Sequence, residues 1–287
     1  MRKMYVFLVS VVMIVVLVAG VMSLRPEKKL PRWVVYYSSE LPFETFNNYD
    51  IVVLDSDDYP EFTDKRENDK QVLLGYLSTS EAEEYRPYYD EIVEMDVMMG
   101  ESPLWEGHII IDIRKPEWRD YFINTMVPRV MVKGFDGIML DTIDSVIYLE
   151  EEFPEEYEGM KEAAVLLIAG IRKAHPDIKV MLNRGLPILE RLAPHVDYVL
   201  AESIRVRYDF ETGDAEYFPD HVYKEERERL KEAKKLNPNL KVVTLDYWNM
   251  RTSEEAAIRN IYAEHRSHGF IPYVTTVRLN EFHPEPK

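Results

Sequence analysis

From Trp33 to Thr276 the chain repeats one alternation eight times: a short, continuously apolar run, then a polar stretch of helical or loop character. The runs are WVVYYS (33–38), DIVVLDS (50–56), QVLLGYLS (71–78), DGIMLD (136–141), IKVMLN (178–183), DYVLAE (197–202), KVVTLDY (241–247) and FIPYVTT (270–276). Runs that do not alternate with polar residues suit strands covered on both faces, as in a parallel sheet. Helical patterns stand out at Glu155–Ala174, His221–Leu236 and Ser253–His268, with Ser253 placed as an N-cap. Each ends at a stop, His175-Pro176, Asn237-Pro238-Asn239 or Gly269. The order predicts an α/β protein, a (β/α)8 barrel, and 287 residues is the length of one barrel with an N-terminal extension. A doubly wound sheet usually carries a Gly-rich phosphate loop after its first strand, whereas here the chain reads YYSSELPFE. Between Ser78 and Pro116 lies a long excursion with Trp105 and a further strand-like run, HIIIDIR (108–114), expected to form part of the barrel mouth or a peripheral hairpin.

The barrel reading gives boundaries of 32–280, with a tail over 281–287 and a linker over 25–31. Residues 4–24 form an uncharged apolar stretch behind Arg2 and Lys3, long enough to cross a bilayer as a helix. Its match to a small-residue cleavage site is poor, so an uncleaved anchor is expected over a cleaved signal, with the barrel outside the cell, membrane-anchored or secreted.

Composition removes several classes of function. With no Cys there is no disulfide, thiolate metal site or cysteine nucleophile. The seven His residues form no H-E-x-x-H or H-x-H pattern, and His265 and His268 read as part of a solvent-facing helix. Neither a G-x-S-x-G elbow nor a P-loop is present. No metal and no cofactor are therefore expected. A net charge of −17 without a basic stripe argues against nucleic acid, and suits a cationic ligand such as a polysaccharide with free amino groups as well as plain solubility. One glutamine, Gln71, beside abundant Glu and Lys gives a thermophile-like composition.

In a parallel barrel all strands end at one face, so residues at distant strand ends become neighbours. The fourth run breaks at Asp141 and the sixth at Glu202, which places two carboxylates at one mouth. Paired carboxylates flanking a bond are the minimum equipment for glycoside hydrolysis, and a separation of about 5 to 7 Å is expected here. Around them the strand ends offer Tyr36, Tyr37, Asp55, Asp57, Tyr76, Asp144, Asn183, Tyr247 and Trp248. Hydroxyl-bonding groups and aromatic faces suit sugars better than an apolar ligand.

The order WVVYYSS, LDSD, GYLSTSEAEEYR, IDIRKPEWRDYF, GFDGIMLDTID, VMLNRG, YVLAES, LDYW and GFIPYVT resembles glycoside hydrolase family 114, the endo-α-1,4-polygalactosaminidase-like barrels. The resemblance runs from Trp33 to about Leu279; where the family usually has Gly before the Glu of the third motif, this chain has Ser80 before Glu81. It implies retaining cleavage of an α-1,4-linked, galactosamine-containing polysaccharide. On it, Asp141 is the nucleophile and Glu202 the general acid/base; Tyr36, Asp55, Asp57, Tyr76, Glu81, Asp112, Asp144, Asn183, Tyr247 and Trp248 are substrate-binding candidates. Two alternatives stand beside it: a non-catalytic carbohydrate-binding barrel, and a hydrolase of another α-linked glycan.

Overall fold

A computed structural model describes residues 30–59, 66–103 and 105–286. Eight strands form one parallel sheet in chain order: β1 (Trp33–Tyr36), β2 (Ile51–Leu54), β3 (Val72–Ser78), β4 (Gly137–Asp141), β5 (Lys179–Asn183), β6 (Tyr198–Glu202), β7 (Lys241–Tyr247) and β8 (Ile271–Thr275). Every expected run is a strand, most of them a residue or two shorter than the run itself. The seam between β8 and β1 is closed by the Trp33 and Tyr273 rings, 6.0 Å apart, and by the Tyr37 N–H donating to the Leu279 carbonyl at 2.7 Å. The fold is a (β/α)8 barrel. Its strands are buried on both faces, which is why the runs lack alternation.

The GFDGIMLD stretch has a steric reason for its second glycine. A Cβ on Gly137 would lie 1.8 Å from the Lys179 carbonyl oxygen of β5, so any side chain forces two paired strands apart. We expect Gly137→Ala to cost about 1–3 kcal/mol, the usual penalty of overpacking, measured as a lower urea midpoint at unchanged m-value.

Other local expectations change. The helix expected over Glu155–Ala174 is two, Pro154–Tyr157 and Met160–Ala174, divided at Gly159, whose φ of 91° breaks the helical path. Ser253 does not cap the last helix: a 3-10 turn, Thr252–Glu254, precedes Glu255–Ser267. His265 is not solvent-facing. It is fully buried, its Nε2 lies 2.6 Å from Asp246 and its Nδ1 3.0 Å from the Tyr223 hydroxyl, while Asp246 also accepts the N–H groups of Arg205 and Val206 in the loop after β6. Nor do residues 281–286 hang free as a tail. Phe282 packs on Phe46 and Tyr49, and Glu285 pairs with Arg266.

The excursion after β3 folds into a three-stranded antiparallel sheet of Glu81–Glu83, Met98–Glu101 and His108–Ile111, with His108–Ile111 in the middle. A second insertion follows β6 as a hairpin, Val206–Tyr208 paired with Ala215–Tyr217. The expected anchor at 4–24 lies outside the described residues. Among those described, no helix is long and apolar enough to cross a bilayer.

Candidate active site

Three adjacent strands end in a polar side chain followed at once by a non-glycine residue in the left-handed region: Asp141 then Thr142 (φ 66°), Asn183 then Arg184 (φ 55°), and Glu202 then Ser203 (φ 51°). The chain turns off each strand in one residue, so the last side chain is left at the mouth rather than carried on into the next helix. Such a conformation costs an L-residue about 1–2 kcal/mol, and it persists only where neighbours fix it. Thr142 is held by its Oγ1, which accepts the N–H groups of Thr79 and Ser80 at 3.1 and 3.0 Å, and Ser203 donates its N–H to Leu245 at 2.8 Å.

The Asn183 side chain joins the two carboxylates. Its Nδ2 donates to Asp141 Oδ1 at 2.9 Å and to Glu202 Oε2 at 2.6 Å, using both hydrogens of one amide. The nearest oxygens of the carboxyls therefore lie no farther apart than those two bonds laid end to end. Reversing the amide would set its oxygen against two carboxylates, so the orientation is fixed by charge. Asp141 also accepts the Thr142 N–H at 2.8 Å, and Glu202 accepts the hydroxyl of Tyr247. Burial pushes the Asp141 carboxyl up to about 7, the charge of Glu202 adds to the rise, and the Asn183 hydrogen bond holds it back. The Tyr247 hydroxyl is pushed well above its ordinary value by burial and by Glu202, so it stays a donor.

Tyr76 and Tyr37 form one wall of the mouth, their rings 5.2 Å apart. Tyr37, not Tyr36, faces the carboxylates: burial first, then the charges of Asp141, Glu202 and Asp55, raise its hydroxyl. Tyr36 is buried on the other side of β1 against Phe46, at 5.5 Å. The period of two along a strand makes this a one-residue error with a complete change of face. Asp144 lies on the rim and pairs with Arg184 at 2.9 Å.

The remaining candidates are engaged elsewhere. Asp55 and Asp57 bind the buried Arg86 at 2.9 and 3.3 Å, together with Glu83, and the Arg86 guanidinium lies 5.1 Å from the Tyr76 ring centre. Glu81 is buried and bonds His108 at 2.7 Å. Asp112 fixes Arg114 at 2.8 and 3.0 Å, and Arg114 ties the excursion to the carbonyls of Glu156 and Glu158. Trp248 turns toward Tyr217, at 5.3 Å, and lines a separate cavity of about 360 Å³ with Tyr208, Met250 and Arg278. A larger hollow of about 600 Å³ lies between Leu186–Glu190 and the helix Asp220–Leu236, and neither carboxylate lines it. Among the described residues no group of His, Cys, Asp or Glu is arranged to hold a metal ion.

Solved structures similar to this chain include the glycoside hydrolase domain of PelA from Pseudomonas aeruginosa, with a TM-score of 0.76 at 21% identity over 88% of this chain and 98% of that one. Another is Ega3 of Aspergillus fumigatus in complex with galactosamine, with a TM-score of 0.67 at 13% identity over 89% and 95%. At these identities the likeness concerns the fold. Among curated relatives, uncharacterized proteins of Methanocaldococcus jannaschii and Thermotoga maritima are 30% and 28% identical over 34% and 42% of this chain; the matches span 29% and 39% of those relatives' own length. The family model of glycoside-hydrolase family GH114 matches residues 23–286, and the chain belongs to that family.

Proposed function

We propose that the protein is a glycoside hydrolase that cleaves an α-1,4-linked, galactosamine-containing polysaccharide with retention of configuration, using Asp141 and Glu202. The observation that carries this reading is the single Asn183 nitrogen bonded to both carboxylates. It keeps the two bonded oxygens within reach of one amide nitrogen, which supports the roughly 5–5.5 Å carboxyl spacing of retaining enzymes over the roughly 6.5–9.5 Å at which inverting enzymes seat a water. Galactosamine enters from the family and from the ligand of the Ega3 structure.

In the proposed reaction the Asp141 carboxylate attacks C1 of the sugar as the C1–O bond breaks, and the departing oxygen takes the proton of Glu202. Water then attacks C1, Glu202 takes its proton, and Asp141 leaves as carboxylate. Asn183 and the Tyr247 hydroxyl keep both groups in place throughout.

One point separates this assignment from its reverse. In the free protein burial keeps the proton on Asp141 up to about pH 7, whereas a nucleophile must be ionised. A 2-amino sugar carries its ammonium on the carbon next to C1, hence beside the attacking carboxylate, and a positive charge there favours ionisation. The reaction therefore runs on the one-proton form of the pair, with that proton moved from Asp141 to Glu202 as the sugar binds, and we expect kcat/KM to fall as pH rises above about 7, where the proton is lost. A kcat/KM that falls instead as pH drops through 7 would mean that the active form carries no proton on the pair, against an acid role for Glu202.

Release of reducing ends from purified amino-sugar polymers tests the activity itself. Binding without release, across de-N-acetylated and N-acetylated polymers, would favour a carbohydrate-binding barrel. The apolar run at 4–24 supports placing the enzyme outside the cell, anchored or secreted, where such polymers occur.

A further inference from the structure

The two insertions meet. Trp105, in the excursion after β3, and Phe210, at the tip of the hairpin after β6, stand edge to face with ring centres 5.7 Å apart at 86°. Strands β3 and β6 are separated by β4 and β5, which carry Asp141 and Asn183. A contact between their insertions therefore crosses the mouth on the side of the carboxylates. From Phe210 the aromatic line continues inward: Tyr208 at 5.2 Å, then Tyr247 at 6.0 Å from Tyr208, and the Tyr247 hydroxyl reaches Glu202.

Both outer rings are exposed, Trp105 by 45% and Phe210 by 63%, although each sits on an ordered support. The Phe210 turn is pinned by Asp209, whose Oδ1 accepts the N–H groups of Glu211 and Thr212 at 2.9 and 3.0 Å, and Gly213 supplies the positive φ of 75° that closes it. The Trp105 backbone is bonded to Ser102 Oγ at 3.3 Å, and Ser102 to Glu81 at 3.3 Å. Core packing does not explain two large rings presented this way, because each is left about half open to water. Aromatic faces are the surfaces on which sugar C–H faces stack, and they also attract cations.

We propose that Trp105 and Phe210 form a distal subsite for a hexosamine ring of the polymer, beyond the sugars at the bond that is cut and reached along the aromatic line. This rests on the reading of the barrel as a hydrolase of an amino-sugar chain. The subsite adds binding only for chains long enough to span from the carboxylates to the Trp105–Phe210 pair, so it sets the preference for polymer over short substrates. A ring lacking its N-acetyl group carries an ammonium, which adds attraction to the aromatic faces.

The test uses the full chain and four variants: Trp105→Ala, Phe210→Ala, the double variant, and Trp105→Tyr as the conservative control. We expect KM for a de-N-acetylated galactosamine polymer to rise about tenfold with either alanine. The kcat, and kcat/KM on an activated aryl galactosaminide, should stay unchanged, and Trp105→Tyr should restore most of the loss. An unchanged polymer KM in the double variant overturns the subsite, and so does an equal loss on the aryl glycoside. Calorimetric titration of the polymer into Asp141→Asn, with and without Trp105→Ala, separates this proposal from the activity it builds on. Binding to Asp141→Asn that weakens about tenfold on loss of Trp105, beside a parent protein that releases no reducing ends, keeps the subsite and removes the reaction. No binding, or binding indifferent to Trp105, removes the subsite.

Discussion

We expect Asp141→Asn to lower hydrolysis by several orders of magnitude, and Glu202→Gln to reduce it by at least ~10²-fold on a substrate with a poor leaving group. Each replacement is close to isosteric, so folding and polymer binding should survive. What disappears is chemical: an amide in place of Asp141 cannot form the covalent intermediate, and one in place of Glu202 cannot protonate the departing oxygen. The surroundings make the two losses distinguishable. On the proposed mechanism Glu202 serves as acid in one step and base in the next, so Glu202→Ala should regain turnover on an activated aryl glycoside when azide is added, since that leaving group needs no acid and azide needs no base. Asp141→Asn has no such remedy. Asn183 complicates the measurement, because its Nδ2 bonds both carboxylates, and an amide at either position must present its oxygen to keep that bond. Unchanged melting temperatures in both variants would establish that the loss is catalytic. Activity within a few-fold of the parent in both would mean that the pair is misassigned.

The barrel was legible because parallel strands covered on both faces leave an unmistakable sequence trace, continuous apolar runs that stop abruptly. Asp141, Asn183 and Glu202 were legible for the same reason: each is the last residue of its run, and the topology of a barrel brings strand ends together. What the sequence concealed is orientation. Tyr36 and Tyr37 are adjacent and identical in type, and only the phase of β1 decides that the first packs on Phe46 while the second faces the carboxylates. Long-range partners were equally hidden. The sequence gives no sign that Arg114 reaches the carbonyls of Glu156 and Glu158, or that the buried Glu81 is occupied by His108, because those pairings depend on how the excursion folds and where it packs. Left-handed residues after three strands left no trace either, since Thr142, Arg184 and Ser203 replace the glycine that usually marks such a position. His265 misled for a different reason. The helix Glu255–Ser267 is rich in charge, yet its inward face holds Ile258, Ile261, Tyr262 and His265, and the histidine is admitted because Asp246 and Tyr223 complete its hydrogen bonds.

Arg86→Met is the substitution outside the carboxylate pair with the largest expected effect, and it bears on stability. The YLS-x-x-E-A-E-x-Y-R stretch ends in this arginine, which is 6% exposed and gathers Asp55, Asp57 and Glu83. Lys133, on Asp57 at 3.1 Å, and His108, at 3.7 Å from Glu83, share the work. Methionine fills much of the volume but removes the charge and all the donors, so Asp55 is left buried without its cation and Glu83 loses the nearer of its two. Breaking a buried pair from one side costs about 3–5 kcal/mol, because the remaining charge is neither solvated nor compensated. For a domain of this size that corresponds to a fall of roughly 6–20 °C in melting temperature, readable by calorimetry. Removing charge on the other side should return part of the loss: Asp55→Asn on the Arg86→Met background leaves one fewer uncompensated carboxylate, so the double variant should be less damaged than the two single losses added together. Additive losses would show that Arg86 contributes by packing its stem against the Tyr76 wall rather than by charge. Activity should fall with stability in either case, since Tyr76 and Tyr37 line the mouth and Arg86 is what the Tyr76 ring rests against.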